Sequence, residues 1–326
     1  MNPGTSPARA PVLSGVLVTL GAAGALVPGV PPWLALLMGA AIGLSWGPPT
    51  WLPVTRIMHT TLQLAVVGIG AGINLAVVGR VGLSSIGYTM IGLVFTLIVG
   101  VVLAKRGGVG PHVGALLFAG TGICGGSAIA AVAPAIRARA DETSASISTV
   151  FLLNAVALLI FPALGRWLGL DPGEFGLWCA LAIHDTSSVV GAALTGGPDA
   201  LVTATTVKLV RSLWIVPVTL ALGFAFRRIR PAAGAAKLPV PWFIGGFVLL
   251  SAMFTAMPAL AGWIDPIAMA ARALLSLTLF LIGLNMSRAV WRRVGYRALL
   301  VGVGLWIAVA TGTLLAIKLG WISQEV

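Results

Sequence analysis

Acidic side chains are almost missing: Asp and Glu together number 8 in 326 residues, and charged residues of both signs make up 9% of the chain. A soluble domain of this length needs a far more polar surface, so the outward face of this chain must be solvated by lipid. Cysteine is scarcer still, with only 2, and both Cys124 and Cys179 lie inside apolar runs. That placement excludes a disulfide framework and carries no information about redox compartment. Metal-ligand spacings, nucleotide loops and nucleophile elbows are missing too. The Gly-x-Gly strings sit in apolar stretches without the strand and acidic partner of a dinucleotide site. No cofactor and no metal are expected, and the chain is not expected to be an enzyme.

What is present is apolar length, with 58% hydrophobic residues, 42 glycines and a mean hydropathy of +1.04. A helix needs roughly 20 apolar residues to cross the hydrocarbon, and charges, prolines and glycines mark the ends. The segments so bounded are 13–30, 32–46, 57–78, 84–104, 111–136, 147–166, 175–195, 201–226, 240–259, 267–287 and 298–318. The expected fold is therefore all-α, with about eleven transmembrane helices in one polytopic domain covering 1–326. The run from Pro11 to Val30 leads into Pro31-Pro32 and more membrane sequence without a convincing cleavage site, so it is expected to be a retained helix.

The net charge of +12 comes mainly from short connections. Arg227, Arg228, Arg230 and Lys237 form one cluster, and Arg288, Arg292, Arg293 and Arg297 another. Such clusters fix orientation in the membrane rather than bind nucleic acid. Placed inside together with Arg9, Arg56, Lys105, Arg106 and Arg166, they outnumber Arg80, Arg137, Arg139 and Lys318 outside, which predicts N-terminus in and C-terminus out. Gly72-Ile73-Asn74-Leu75 is echoed by Gly283-Leu284-Asn285-Met286, each followed by a basic, glycine-containing turn. The echo fits either an inverted repeat or chance similarity of apolar helices.

Three segments are more than lipid filler. Gly120-Thr121-Gly122-Ile123-Cys124-Gly125-Gly126-Ser127 packs four glycines and two hydroxyls into one turn-rich stretch. Each interior glycine costs a helix about 1 kcal/mol relative to alanine. Either small residues serve close helix packing, or the helix is discontinuous and its unwound middle presents backbone N–H groups and a positive dipole end to a ligand.

The second segment is His184-Asp185-Thr186-Ser187-Ser188, placed near mid-membrane. An ionisable group at that depth is functional by default, the alternative being that Asp185 only pairs with a neighbouring cation as structural glue. His184 reads either as a proton carrier or as a packed polar residue.

The third segment carries Lys208 and Arg211, three residues apart on one helical face and too deep for both to snorkel. Two cations against one carboxylate leave a positive remainder, and an anionic substrate is its natural partner. The guanidinium fork suits an oxyanion, so Arg211 is the expected substrate ligand and Lys208 the expected partner of Asp185. Arg272 is a second-rank candidate.

The glycine-rich segment with Pro134, the pair His184-Asp185, and Lys208-x-x-Arg211 followed by Pro217 together resemble the bacterial family named for sulfate export, also described as an uncharacterised conserved membrane protein family. The likeness runs from about the second span to the last. That family usually has a serine where Gly122 stands and a glutamate where Asp185 stands.

The resemblance implies the wider cation–proton antiporter and bile-acid transporter superfamily, with inverted repeats, crossed broken helices and elevator motion in a homodimer of the bacterial inner membrane. From the three segments, Thr121, Gly122, Cys124, Gly125, Gly126, Ser127, His184, Ser187, Ser188 and Arg211 are expected to bind substrate, with Asp185 and Lys208 as an ion-coupling or charge pair. The expected function is export or exchange of sulfate, a sulfonate or a carboxylate, driven by protons or sodium. An anion channel is the rival of similar build, and an intramembrane enzyme using Cys124 with His184 is a third.

Overall fold

The computed structural model describes residues 9–27, 30, 32–49, 51–227, 242–285 and 295–323. Among them every regular element is a helix. In chain order these are α1 (Arg9–Ala25), α2 (Pro32–Ser45), α3 (Val54–Ile69), α4 (Leu75–Arg106), α5 (Pro111–Ala119), α6 (Gly126–Ile136) and α7 (Ala140–Trp167). There follow α8 (Pro172–Ala182), α9 (Thr186–Ala193), α10 (Pro198–Leu213), α11 (Ile215–Arg227), α12 (Trp242–Ala256), α13 (Ile264–Asn285) and α14 (Tyr296–Lys318). Five helical stretches are long and apolar enough to cross a membrane: Leu75–Arg106, Ala140–Trp167, Pro198–Phe226, Pro258–Asn285 and Tyr296–Lys318. Shorter apolar helices include α2, α5, α6 and α12, and α5 with α6 and α8 with α9 follow one another within single expected spans.

The chain falls into two compact units, Met1–Leu75 with Phe243–Arg292, and Ala76–Trp242 with Arg293–Val326. Composition does not mark this division, because both units are equally apolar.

In the first unit α2 and α13 pack backbone to backbone. A Cβ built on Gly39 would lie 2.0 Å from the Phe280 carbonyl oxygen, a separation no side chain could take. Small residues are the usual way to bring membrane helices this close, since lipid supplies no hydrophobic force between them. A hydroxyl pair, Thr61 with Thr278 at 2.9 Å, ties α3 to α13. The Ser251 hydroxyl of α12 donates to the Ile73 carbonyl at 2.6 Å where the chain leaves α3.

The second unit holds α4 to α11 and α14, and α1 belongs to the first. Along α4 the buried stripe is Ser85, Thr89, Leu93, Thr96, Gly100 and Ala104, while Leu83, Ile91, Val94 and Ile98 point outward. Small and hydroxylated residues inward with bulky apolar residues outward is the reverse of a soluble helix and is what lipid solvation selects. The inward hydroxyls return to their own helix: Thr89 donates to the Ser85 carbonyl at 2.7 Å and Thr96 to that of Gly92 at 2.6 Å. Trp178 of α8 stacks on Phe161 of α7 at 4.1 Å and donates its indole N–H to the Ala310 carbonyl of α14 at 2.9 Å, fixing α8 between those helices.

Most of both basic connections lies outside the described residues, namely Arg228, Arg230 and Lys237 in one and Arg288, Arg292 and Arg293 in the other. Gly72-Ile73-Asn74-Leu75 follows α3, and Gly283-Leu284-Asn285 ends α13; Met286 and the turn after it also fall outside.

Candidate functional site

The glycine-rich segment interrupts its helix. After α5, residues Gly120–Cys124 form one π turn, closed by the Gly125 N–H donating to the Gly120 carbonyl at 2.8 Å. Gly125 then takes φ +69° and ψ −134°, and α6 starts at the next residue. Only glycine adopts that backbone without strain, so the residue type places the break. No side chain caps the N-terminus of α6, where Gly126 is half-buried and Ser127 exposed.

A second interruption lies between α8 and α9, with Ile183 and Asp185 in extended conformation. Asp185 is the N-cap of α9. Its carboxylate accepts from the Ser187 amide at 2.6 Å, the Ser188 amide at 3.4 Å, the Ser188 hydroxyl at 2.7 Å and the Ser187 hydroxyl. Aspartate at this position satisfies orphan amides and sits well in the positive end of the helix dipole. The bridge is held from α7 by Asn154, whose side-chain oxygen accepts the His184 amide at 3.0 Å and the Asp185 amide at 3.3 Å.

The two breaks touch. A Cβ on Gly125 would lie 2.9 Å from the Asp185 Cβ and 3.2 Å from its Cα. Two discontinuous helices therefore meet at their unwound points, with the N-termini of α6 and α9 opening from the meeting place.

Both interruptions leave carbonyls without helical partners, and α10 supplies the donors. Arg211 donates from Nε to the Gly122 carbonyl at 2.6 Å, from Nη2 to that of Thr121 at 2.8 Å, and from Nη1 to those of Ala180 at 3.2 Å and Leu181. Lys208 donates from Nζ to the Ile183 carbonyl at 2.8 Å and to that of Ala180 at 3.4 Å. The Trp306 indole takes the Ala182 carbonyl at 3.1 Å, and the Ile183 amide takes that of Cys179 at 3.0 Å. The last four carbonyls of α8 are thus all satisfied, one by a backbone amide and three by cations and an indole at the negative end of the helix dipole. Lys208 is 0% exposed and Arg211 3%.

This geometry corrects two expectations. Arg211 does not present a free fork, because backbone carbonyls of both broken helices fill it. Lys208 and Asp185 do not form a direct ion pair: the pairs within 4.0 Å among the described residues are His112–Glu142, Arg139–Asp141 and Lys318–Glu174. Asp185 and Lys208 instead cap opposite sides of one break, the carboxylate on the amides of α9 and the ammonium on the Ile183 carbonyl. The reason is local: an extended Ile183-His184-Asp185 bridge exposes an amide end and a carbonyl end, and each draws the opposite charge.

The other expected residues gather at or beside the crossing. Thr121, Gly122 and Cys124 are buried in the π turn, and the Thr121 hydroxyl has no hydrogen-bond partner among the described residues. His184 is buried, and its ring nitrogens complete no hydrogen bond there, although the Val150 backbone is close. Ser187 and Ser188 are buried and committed to Asp185. Arg272 lies on α13 in the first unit and is exposed. Asn154 was not among the expected residues, although a lone amide inside Val150-Phe151-Leu152-Leu153-Asn154-Ala155-Val156 is a signal that could have found it.

Fold and site together define a multi-pass helical membrane protein organised around two interrupted helices in contact. The chain belongs to the family described as Conserved hypothetical protein 698, whose model matches residues 12–302. It is 49% identical over 289 residues to a UPF0324 membrane protein of Bdellovibrio bacteriovorus, covering 88% of this chain and 89% of that one. A UPF0324 membrane protein of Geobacter sulfurreducens is 44% identical over 294 residues, with 89% and 93% covered. One from Porphyromonas gingivalis is 43% identical over 294 residues, with 88% and 87% covered. No solved structure matches the chain.

Proposed function

We propose that this protein is a secondary transporter of a small oxyanion, sulfate or a related sulfonate or carboxylate, in the bacterial inner membrane. The observation that carries the reading is the contact of the two helix breaks at Gly125 and Asp185 beside a buried excess of cation. Broken helices at the membrane midplane expose dipole ends that can hold an ion without dedicated charged side chains. Here Lys208 and Arg211 stand against the single carboxylate of Asp185, so the crossing keeps one positive charge more than it neutralises.

The anion is held at the uncapped N-terminus of α6, by amides of Gly126 and Ser127 and the Ser127 hydroxyl, with the two cations acting at one remove through the field of the crossing. The shorter apolar helices complete about eleven spans, and the second unit, which holds every residue of the crossing, is the body that moves in an elevator cycle of a homodimer.

Purified protein in liposomes tests this. Radiolabelled sulfate, taurine and succinate are offered to vesicles preloaded with the same compound. Saturable uptake stimulated by internal anion is the expected result. Current without exchange would make it a channel, and absence of both for every anion tried would remove the reading.

A further inference from the structure

Five carbonyl oxygens from the ends of two different half-helices converge on one turn of α10. They belong to Thr121 and Gly122 at the first break and to Ala180, Leu181 and Ile183 at the second. Carbonyl-rich C-terminal ends of half-helices are where broken-helix carriers coordinate an alkali cation or a proton. In this chain the same kind of oxygen set is already filled, by groups that are covalently part of the protein. Lys208 is the member best suited to such a role. An ammonium is a compact point charge with three donors, comparable to a small monovalent cation, whereas a guanidinium is a planar fork. The Lys208 head group is wholly buried and donates to the carbonyls of Ile183 at 2.8 Å and Ala180 at 3.4 Å.

We propose that Lys208 is a tethered cation: its ammonium occupies a monovalent-cation site built from the carbonyls of Ala180 and Ile183, so the protein needs no free sodium to cap the second break. The converse follows. Shortening the side chain to alanine removes the charge and leaves the two carbonyls facing a space that an ammonium, sodium or potassium ion fits, turning a cation-independent protein into a cation-requiring one. The consequence for the driving ion rests on the transport reading above, whereas the cation site itself does not, and the test uses no transport.

The experiment is the melting temperature of detergent-purified protein in ammonium, sodium, potassium and choline chlorides at equal ionic strength. The parent should melt alike in all four. Lys208→Ala should melt several degrees lower in choline and recover saturably, by half or more, in ammonium or an alkali chloride. Lys208→Met, which keeps the length and fills the space without charge, should be destabilised and should not respond. Equal responses of Lys208→Ala and Lys208→Met, or no response of Lys208→Ala, would overturn the proposal. Should Lys208→Ala fail to survive extraction in any of the salts, the parent decides: a sodium-specific rise in its melting temperature means the carbonyls still take a free cation and overturns the proposal, while indifference to the salt sustains it. Loss of anion flux with the cation response intact would sink only the transport reading.

Discussion

Lys208 and Arg211 donate to the same acceptor, the carbonyl of Ala180, at 3.4 and 3.2 Å. Two cations three residues apart on α10 repel each other, and shared capping of negative helix ends is what makes their closeness tolerable. Arg211→Lys preserves charge but cannot reach the carbonyls of both half-helices. It should lower stability by about 3–5 kcal/mol, the range for breaking a buried charged network. Tryptophan fluorescence during thermal unfolding reads this, and an unchanged midpoint would show that the carbonyl set does not hold the breaks.

Asp185→Asn keeps a capping oxygen and removes the carboxylate charge. Asparagine caps nearly as well as aspartate, so stability should change by less than about 1 kcal/mol. Anion affinity should rise, because the positive excess around the crossing grows by one unit charge. Isothermal titration with sulfate checks both signs, and weaker binding by a stably folded variant would argue that Asp185 faces the substrate directly.

Gly125→Ala should be far more damaging than Gly126→Ala. The first forces a side chain into φ +69° and against the Asp185 Cβ at 2.9 Å, whereas the second meets only the edge of the Phe151 ring at 3.0 Å. Strain of this kind costs of order 1–3 kcal/mol before the clash is added. Yield of monodisperse protein and melting temperature should rank parent, Gly126→Ala, Gly125→Ala.

Asn154→Leu removes the acceptor for two amides, the buried one of His184 and the part-buried one of Asp185. Each buried donor left unpaired costs about 1–3 kcal/mol. Asn154→Asp, which keeps an acceptor oxygen, should recover part of the loss. Hydrogen exchange at the His184 and Asp185 amides, followed by mass spectrometry, should speed up in Asn154→Leu and less so in Asn154→Asp.

The first break was legible because glycine acts locally: a cluster of four between Gly120 and Gly126 is a poor helix wherever it is placed. The second break was legible in principle, since Asp185 followed by Thr186-Ser187-Ser188 reads as an N-cap, but a lone carboxylate in an apolar run reads as an intramembrane charge as well. What Lys208 and Arg211 bind could not be read from a charge count. Counting side chains omits the partial charges of helix ends, and the carbonyls concerned lie roughly 25 to 90 residues away in sequence. The division into two units left no mark either, because lipid-facing surfaces on both sides demand the same apolar composition.

Arg211 joins the ends of α5 and α8 to α10 through four carbonyls, and Lys208 and Trp306 hold α8 at three more contacts. Sliding α8 along α10 by a single turn would strand most of those buried groups at once. These segments consequently behave mechanically as one rod assembly, stiff against shear, so that α5, α8 and α10 are displaced together instead of unzipping.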